Sequence, residues 1–185
     1  MRIIGGICKG RRLAPLKGRR TRPTQDKVRE AIFNILEGSG PYRRIIDLFA
    51  GSGAMGLEAL SRWGGQATFV ESSREALICL GENIRRLEMQ DNARVIQRDL
   101  ARGITFLKKR GGSYDLVFLD PPYGQGWAEG IIPPLLDSGL VEENGTLVLE
   151  HEANEPLPRQ SGGWAVTDQR RYGQTRVSFY QMRKG

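Results

Sequence analysis

The chain has 185 residues, 39% hydrophobic and 26% charged, which fits one globular domain with a short appendage and is too apolar for a disordered chain. No run approaches the roughly 20 apolar residues of a membrane span, and no apolar stretch follows Met1-Arg2-Ile3-Ile4 as in a secretory leader, so a cytoplasmic location is expected. Two distant cysteines, Cys8 and Cys79, and a single histidine, His151, argue against a disulfide framework, a zinc site or any other metal centre, and a Cys–His nucleophile.

The net charge of +7 is unevenly placed: residues 1–44 hold 12 basic and 3 acidic residues, and the remainder 16 basic and 18 acidic. Such an asymmetry predicts a polyanionic partner at the N-terminal region. Arg11, Arg12, Lys17, Arg19, Arg20, Arg22, Lys27 and Arg29 are the residues expected to meet it. Met1–Ile4 and Ile7–Leu13 read as short strands about a Gly5-Gly6 turn. After Pro23, Thr24 is a good N-cap, and Val28, Ala31, Ile32, Ile35 and Leu36 lay out one apolar helical stripe that ends near Gly38.

From residue 45 strands and helices alternate. Strands are predicted at 45–49, 67–71, 94–97, 114–119 and 146–150, helices at 55–62, 73–87, 104–109 and 128–137, and a closing antiparallel pair at 164–171 and 176–182. Alternation of this length predicts a mostly parallel sheet covered on both faces.

Gly51, Gly53 and Gly56 satisfy G-x-G-x-x-G between the first strand and its helix, and Glu71 ends the second strand where a ribose-binding acid belongs. A nicotinamide dehydrogenase is therefore a competitor. Asp47 discriminates: a carboxylate aimed at the turn repels a pyrophosphate and attracts an ammonium or sulfonium head. S-adenosylmethionine carries both, and has a ribose but no phosphate; the bland alternative is that Asp47 braces the loop. Asp99 follows the third strand, placed to accept from an adenine amino group. Asp120-Pro121-Pro122-Tyr123 closes the fourth. The two prolines stiffen that loop and remove donors, the Asp120 carboxylate and the Pro121 carbonyl remain as acceptors, and Tyr123 adds a flat ring. The set suits an aminopurine taken out of a helix, with its N–H groups held and its face stacked on a ring that needs no hydroxyl.

The glycine loop, Glu71, Asp99 and Asp-Pro-Pro-Tyr together resemble class I S-adenosylmethionine-dependent amino-methyltransferases. Met-Arg-Ile-Ile-Gly-Gly…Lys-Gly-Arg-Arg-Leu, Thr-Arg-Pro-Thr…Val-Arg-Glu-Ala-Ile-Phe-Asn-Ile-Leu, Asp-Leu-Phe-Ala-Gly-Ser-Gly, Leu-Asp-Pro-Pro-Tyr and Val-Leu-Glu-His-Glu are similar to the RsmD family, which methylates N2 of a guanine in small-subunit ribosomal RNA. The resemblance implies a Rossmann-like α/β fold: a seven-stranded, mostly parallel sheet with the last strand antiparallel, carrying a small N-terminal β-hairpin and helix extension over 1–40 on a methyltransferase domain over 41–185. It implies S-adenosylmethionine bound by Asp47, Phe49, Ala50, Gly51, Ser52, Gly53, Glu71, Ser72, Asp99 and Leu100, and a guanine held by Asp120, Pro121, Pro122 and Tyr123. The substrate it implies is ribosomal RNA within an assembled or partly assembled small subunit, and the motifs themselves require neither metal nor membrane. Two alternatives stand beside it: an adenine-N6 methyltransferase, since Asp-Pro-Pro-Tyr suits either amine, and a non-catalytic RNA-binding or assembly protein.

Overall fold

The computed structural model describes residues 1–16, 23–108 and 112–183. They form two compact units, Met1–Arg98 and Asp99–Gly185.

The first unit is built on three parallel strands, β1 (Arg44–Leu48), β2 (Gln66–Glu71) and β3 (Ala93–Gln97), in the order β3-β2-β1. In β1 every residue after Arg44 is buried. A strand covered on both faces has no need of polar alternation, which is why Ile45-Ile46-Asp47-Leu48 is nearly all apolar. Helix α1 (Pro23–Leu36) precedes β1; α2 (Ala54–Trp63) and α3 (Arg74–Leu87) make the two crossovers, and Ser73 caps α3 by accepting from the Ala76 N–H. Helix α1 buries Val28, Ile32 and Leu36 as its periodicity predicts, with Ala31 and Ile35 half-buried, and also Phe33, which meets Trp63 at a ring separation of 5.6 Å.

The N-terminal strands are not formed as expected. Residues 1–13 make one isolated bridge, Arg2 with Arg12, supported by main-chain bonds from Ile3 to Arg11, Gly10 to Ile3 and Leu13 to Met1. The physical reason is where the other donors go. The Ile4 and Gly5 N–H groups donate to the two oxygens of Glu58 at 2.8 and 2.7 Å, Ile7 N–H to the Ser61 carbonyl at 2.8 Å, and Cys8 N–H to the Ser61 hydroxyl at 2.9 Å. The segment is thus docked along α2 through its middle and paired with itself only at its ends. Gly6 permits the docking: its φ is +72°, and a Cβ there would stand 1.8 Å from the Ser61 carbonyl oxygen. Glu58, 0% exposed, also accepts from Arg62 Nε at 2.8 Å and lies 3.8 Å from the Nε of Arg29, itself 4% exposed.

The second unit carries β4 (Tyr114–Leu119), β5 (Val141–Glu152), β6 (Gln160–Ser161), β7 (Trp164–Tyr172) and β8 (Thr175–Met182) in the order β4-β5-β8-β7-β6. Strand β4 is parallel to β5; β8 is antiparallel to both β5 and β7, and β6 to β7. The expected antiparallel last strand is β8, and the two-residue β6 is additional to the seven strands read from the sequence. Strand β5 is longer at both ends than its apolar run. Helices α4 (Thr105–Lys108) and α5 (Trp127–Leu136) flank β4 in sequence.

Removal of the Glu58 carboxylate leaves Arg29 and Arg62 buried without their shared counter-charge and three donors, the Ile4 and Gly5 N–H groups and Arg62 Nε, unsatisfied. Glu58→Ala is expected to lower unfolding stability by about 3–5 kcal/mol, the scale for breaking a buried ion pair. Urea titration checks this, and a loss below about 1 kcal/mol would show that the carboxylate is not the anchor.

Candidate active site

Within the first unit, the turn after β1 is shaped by three left-handed residues: Phe49 at φ 62°, Gly51 at 57° and Gly53 at 80°. Phe49 is the only one with a side chain, a conformation that costs free energy and that the surroundings must enforce. The third glycine serves packing. A Cβ on Gly56 would stand 2.4 Å from Phe69 Cε1, so only glycine lets α2 lie on β2 here. The N–H groups of the turn are used internally: Ala50 donates to the Val70 carbonyl, Gly53 to the Ala50 carbonyl, and Gly51 to Glu71 Oε2 at 2.8 Å.

Glu71 is therefore placed at the turn, as its spacing predicts. Its other oxygen accepts from the Ser72 and Ser73 N–H groups at 2.7 and 2.8 Å. A carboxylate offers about four lone-pair sites, so one is left for a hydroxyl such as a ribose's. Asp47 is 2% exposed, and its Oδ2 accepts from the Gly56 N–H at 2.9 Å. It braces the loop, and burial, with the nearby charge of Glu71 adding, raises its pKa to about 7 against the pull of the Gly56 N–H. The loop-bracing role that the sequence offered as the alternative is thus present, carried by one of the two carboxylate oxygens. Ala50 and Ser52 are also buried, at 8% exposure each.

Sequence reading missed Asn83. Fully buried on α3, its amide donates to the Ser52 carbonyl at 2.9 Å and the Ala14 carbonyl at 3.2 Å, and its Oδ1 accepts from the Ala14 N–H at 2.7 Å. It ties the glycine turn to the end of the N-terminal segment. The one available signal was an asparagine on the buried face of an amphipathic helix.

Within the second unit, Asp99 is exposed and accepts from the Ala101 N–H at 2.9 Å, capping the short helical turn that buries Leu100. The Asp120–Tyr123 loop leaves β4 with Pro121 buried, Asp120 half-buried and Tyr123 42% exposed. The tyrosine hydroxyl is held between Glu150 Oε1 of β5 and Thr175 Oγ1 of β8, each at 3.1 Å. Burial first, then the charge of Glu150, push the phenol well above its ordinary range, so it stays protonated and donates. The hydroxyl therefore has partners that the sequence reading did not assign, and they fix the plane in which the ring is offered. Glu150 had a signal, an acid in an otherwise apolar strand; Thr175 had none.

Of the basic residues, Arg12 and Lys27 are exposed. Arg11 reaches the end of α3, bonding the Arg86 carbonyl and Glu88 at 3.1 Å, and keeps 41% of its side chain exposed. Arg29 is buried, with its guanidinium on the Arg2 carbonyl at 2.5 Å and Asp26 at 3.2 Å, and its pKa is lowered by that burial. Its expected role as a phosphate contact is corrected to a structural one. Lys17, Arg19, Arg20 and Arg22 lie outside the described residues. Among the described residues no cluster of His, Cys, Asp or Glu suits a metal ion, and no helix is long and apolar enough to cross a membrane.

The model of the family described as "Conserved hypothetical protein 95" matches residues 1–181. The chain is 38% identical to the "Putative rRNA methyltransferase YlbH" of Bacillus subtilis, over 99% of this chain and 100% of that protein. It is 36% identical to the "Ribosomal RNA small subunit methyltransferase D" of Escherichia coli, over 98% of this chain and 89% of that one. The solved structure "Putative methyltransferase yhhF from Escherichia coli" superposes with a TM-score of 0.85 at 36% identity, covering 100% of this chain and 99% of that one. The α/β fold with parallel and antiparallel strands is the class I methyltransferase fold expected from the sequence.

The pKa of Asp47 carries a sign. Raised from an ordinary carboxylate value to about 7, it leaves the folded protein binding one proton more than the unfolded chain between about pH 4 and pH 7. Its contribution is fully present below the unfolded pKa and is lost as pH rises through the folded one. Asp47→Asn keeps an acceptor for the Gly56 N–H without the titration. The variant is therefore expected to gain on the parent by about 1 kcal/mol per pH unit from pH 5 to pH 7 in the ligand-free protein. Denaturant titrations at the two pH values measure the gap, and a constant gap would refute the burial account of Asp47.

Proposed function

The chain belongs to the RsmD family, the "Conserved hypothetical protein 95" family whose model it matches, and on that premise we propose that it transfers a methyl group from S-adenosylmethionine to the exocyclic N2 of a guanine in small-subunit ribosomal RNA. The observation that carries the reading is the Asp120–Tyr123 loop: two rigid prolines, acceptors at its start, and a tyrosine whose ring is exposed while its hydroxyl is fixed by Glu150 and Thr175. A base stacks on a ring held in one plane at lower entropic cost than on a free one.

The cofactor reading is supported by the glycine turn. Its Ala50, Gly51 and Gly53 N–H groups are already bonded within the protein, one of them to a carboxylate, so a pyrophosphate meets fewer donors and an opposing charge there. An adenosine without phosphates, offering ribose hydroxyls to the lone-pair site that Glu71 keeps, fits this turn. Bound there, S-adenosylmethionine supplies an activated methyl group. The chain's own residues do the rest. Asp120 and the Pro121 carbonyl accept the two amino hydrogens, which favours the pyramidal nitrogen needed for in-line attack on the methyl carbon. With the methyl group accepted by N2, these preorganised acceptors would stabilise the positive charge developing there until its proton passes to solvent. In this reading residues 1–40, including Arg12 and Lys27, grip phosphates and residues 41–185 perform the transfer, on an assembled or partly assembled subunit in the cytoplasm.

Transfer from labelled S-adenosylmethionine to small-subunit ribosomal RNA, naked and within subunits, with the modified nucleoside resolved, tests the proposal. N2-methylguanosine is expected; N6-methyladenosine, or binding of NAD in place of S-adenosylmethionine, would overturn it. Asp120→Ala is expected to keep RNA binding and to lose at least about 100-fold in transfer, the scale for removing a preorganised polar group from a reacting centre. Tyr123→Phe loses hydroxyl bonds of about 1 kcal/mol, or roughly 5–10-fold, while Tyr123→Ala loses the stack as well and falls further. Equal damage from the two tyrosine variants would mean that the ring does not stack.

A further inference from the structure

We propose that the C-terminal hairpin and the segment leading into it form a second phosphate-binding surface for the RNA, which rests on the ribosomal RNA reading above. Charge is the first observation. Residues 156–185 hold six basic residues and one acidic, whereas residues 45–155 hold ten basic and seventeen acidic. The positive excess at the N-terminus thus has a counterpart at the other end of the chain.

The second observation is a groove of about 850 Å³ walled by Arg159, Arg176 and Arg183 together with Gln160 and Gln169. Two acids share its wall, Glu155 and Asp168, but Asp168 is engaged by Arg170, Nε to Oδ1 at 2.9 Å. Among the described residues Arg159, Arg176 and Arg183 form no ion pair.

The third observation is register. Arg176 on β8 lies directly opposite Arg171 on β7 and, on its other side, opposite His151 on β5. Like charges directly across a ladder destabilise a sheet. Burial pushes His151 toward its neutral form, and the charge of Arg176 acts in the same direction. The row therefore has no internal compensation, and a polyanion supplies it. Arg176 and Arg183 are separated by roughly 23 Å along an extended strand. That is too far for one small anion, and it spans several phosphates of a nucleic-acid strand, spaced about 3.4 Å apart along the axis. The occupant is the RNA backbone.

The test uses the full chain with Arg159→Gln, Arg176→Gln and Arg183→Gln combined, and measures ribosomal RNA binding against salt. Three lost phosphate contacts should lower the log–log slope by about 2–3 and weaken binding by about 10–100-fold near physiological salt. The three corresponding lysine replacements should restore the slope. S-adenosylmethionine affinity serves as the folding control. If the parent binds and methylates RNA while the glutamine variant keeps the parent's slope, this surface is refuted and the function stands. If the lysine variant fails as the glutamine variant does, the arginines act structurally and the proposal also falls. If the parent methylates no RNA, the functional reading fails first and takes this surface with it.

Discussion

A carboxylate with no solvent at all organises the first unit. Glu58 gathers two main-chain N–H groups of the N-terminal segment and the guanidinium groups of Arg62 on its own helix and Arg29 on α1. A single residue of α2 thereby fixes both the segment before α1 and α1 itself against the helix that the glycine turn opens. Burying a charge is tolerable only when it is bonded and paired, and three donors with the nearby charge of Arg29 do this for Glu58. The arrangement also explains the fate of Arg29. A cation on the basic edge of α1 was recruited inward as a counter-ion, and the surface charge of the region is carried by its neighbours.

The same economy recurs at the glycine turn. Glu71 and Asp47 spend their oxygens on main-chain donors, and in doing so they set what the turn can bind. A turn that has its own anions in place selects against phosphorylated ligands before any ligand arrives. Tyr123 shows the complementary device in the second unit: a hydroxyl used for aim and a ring left exposed.

The sequence was most informative where chemistry is local. The helix of Val28 and Ile32, the parallel strands about Asp47 and Glu71, and the Asp-Pro-Pro-Tyr loop are written in contiguous residues, and the structure places them as periodicity predicts. It was least informative where a side chain far away consumes a backbone donor. Met1–Leu13 alternates like a hairpin, but the N–H groups of Ile4, Gly5, Ile7 and Cys8 are drawn to Glu58 and Ser61, some 50 residues on, and no pattern within the segment announces that. Asp47 left two readings open for the same reason: the spacing gives its position on the strand, while the direction of its carboxylate depends on the Gly56 N–H across the turn. Thr175 joins the site only because β8 returns beside β5, a pairing between residues distant in the chain.

Asn83 sets a rule for how this region can drift. Its three partners in the turn and the N-terminal segment are main-chain atoms: the Ala14 N–H, the Ala14 carbonyl and the Ser52 carbonyl. Main-chain atoms are the same whatever residue bears them, proline's missing N–H excepted. Positions 14 and 52 are therefore open to substitution as far as this junction is concerned, while position 83 is closed to all but an amide of asparagine's length. Aspartate there lacks the donors, leucine lacks both functions, and glutamine is one methylene too long. Two segments that are free to change in sequence are held to one geometry by a third that is not.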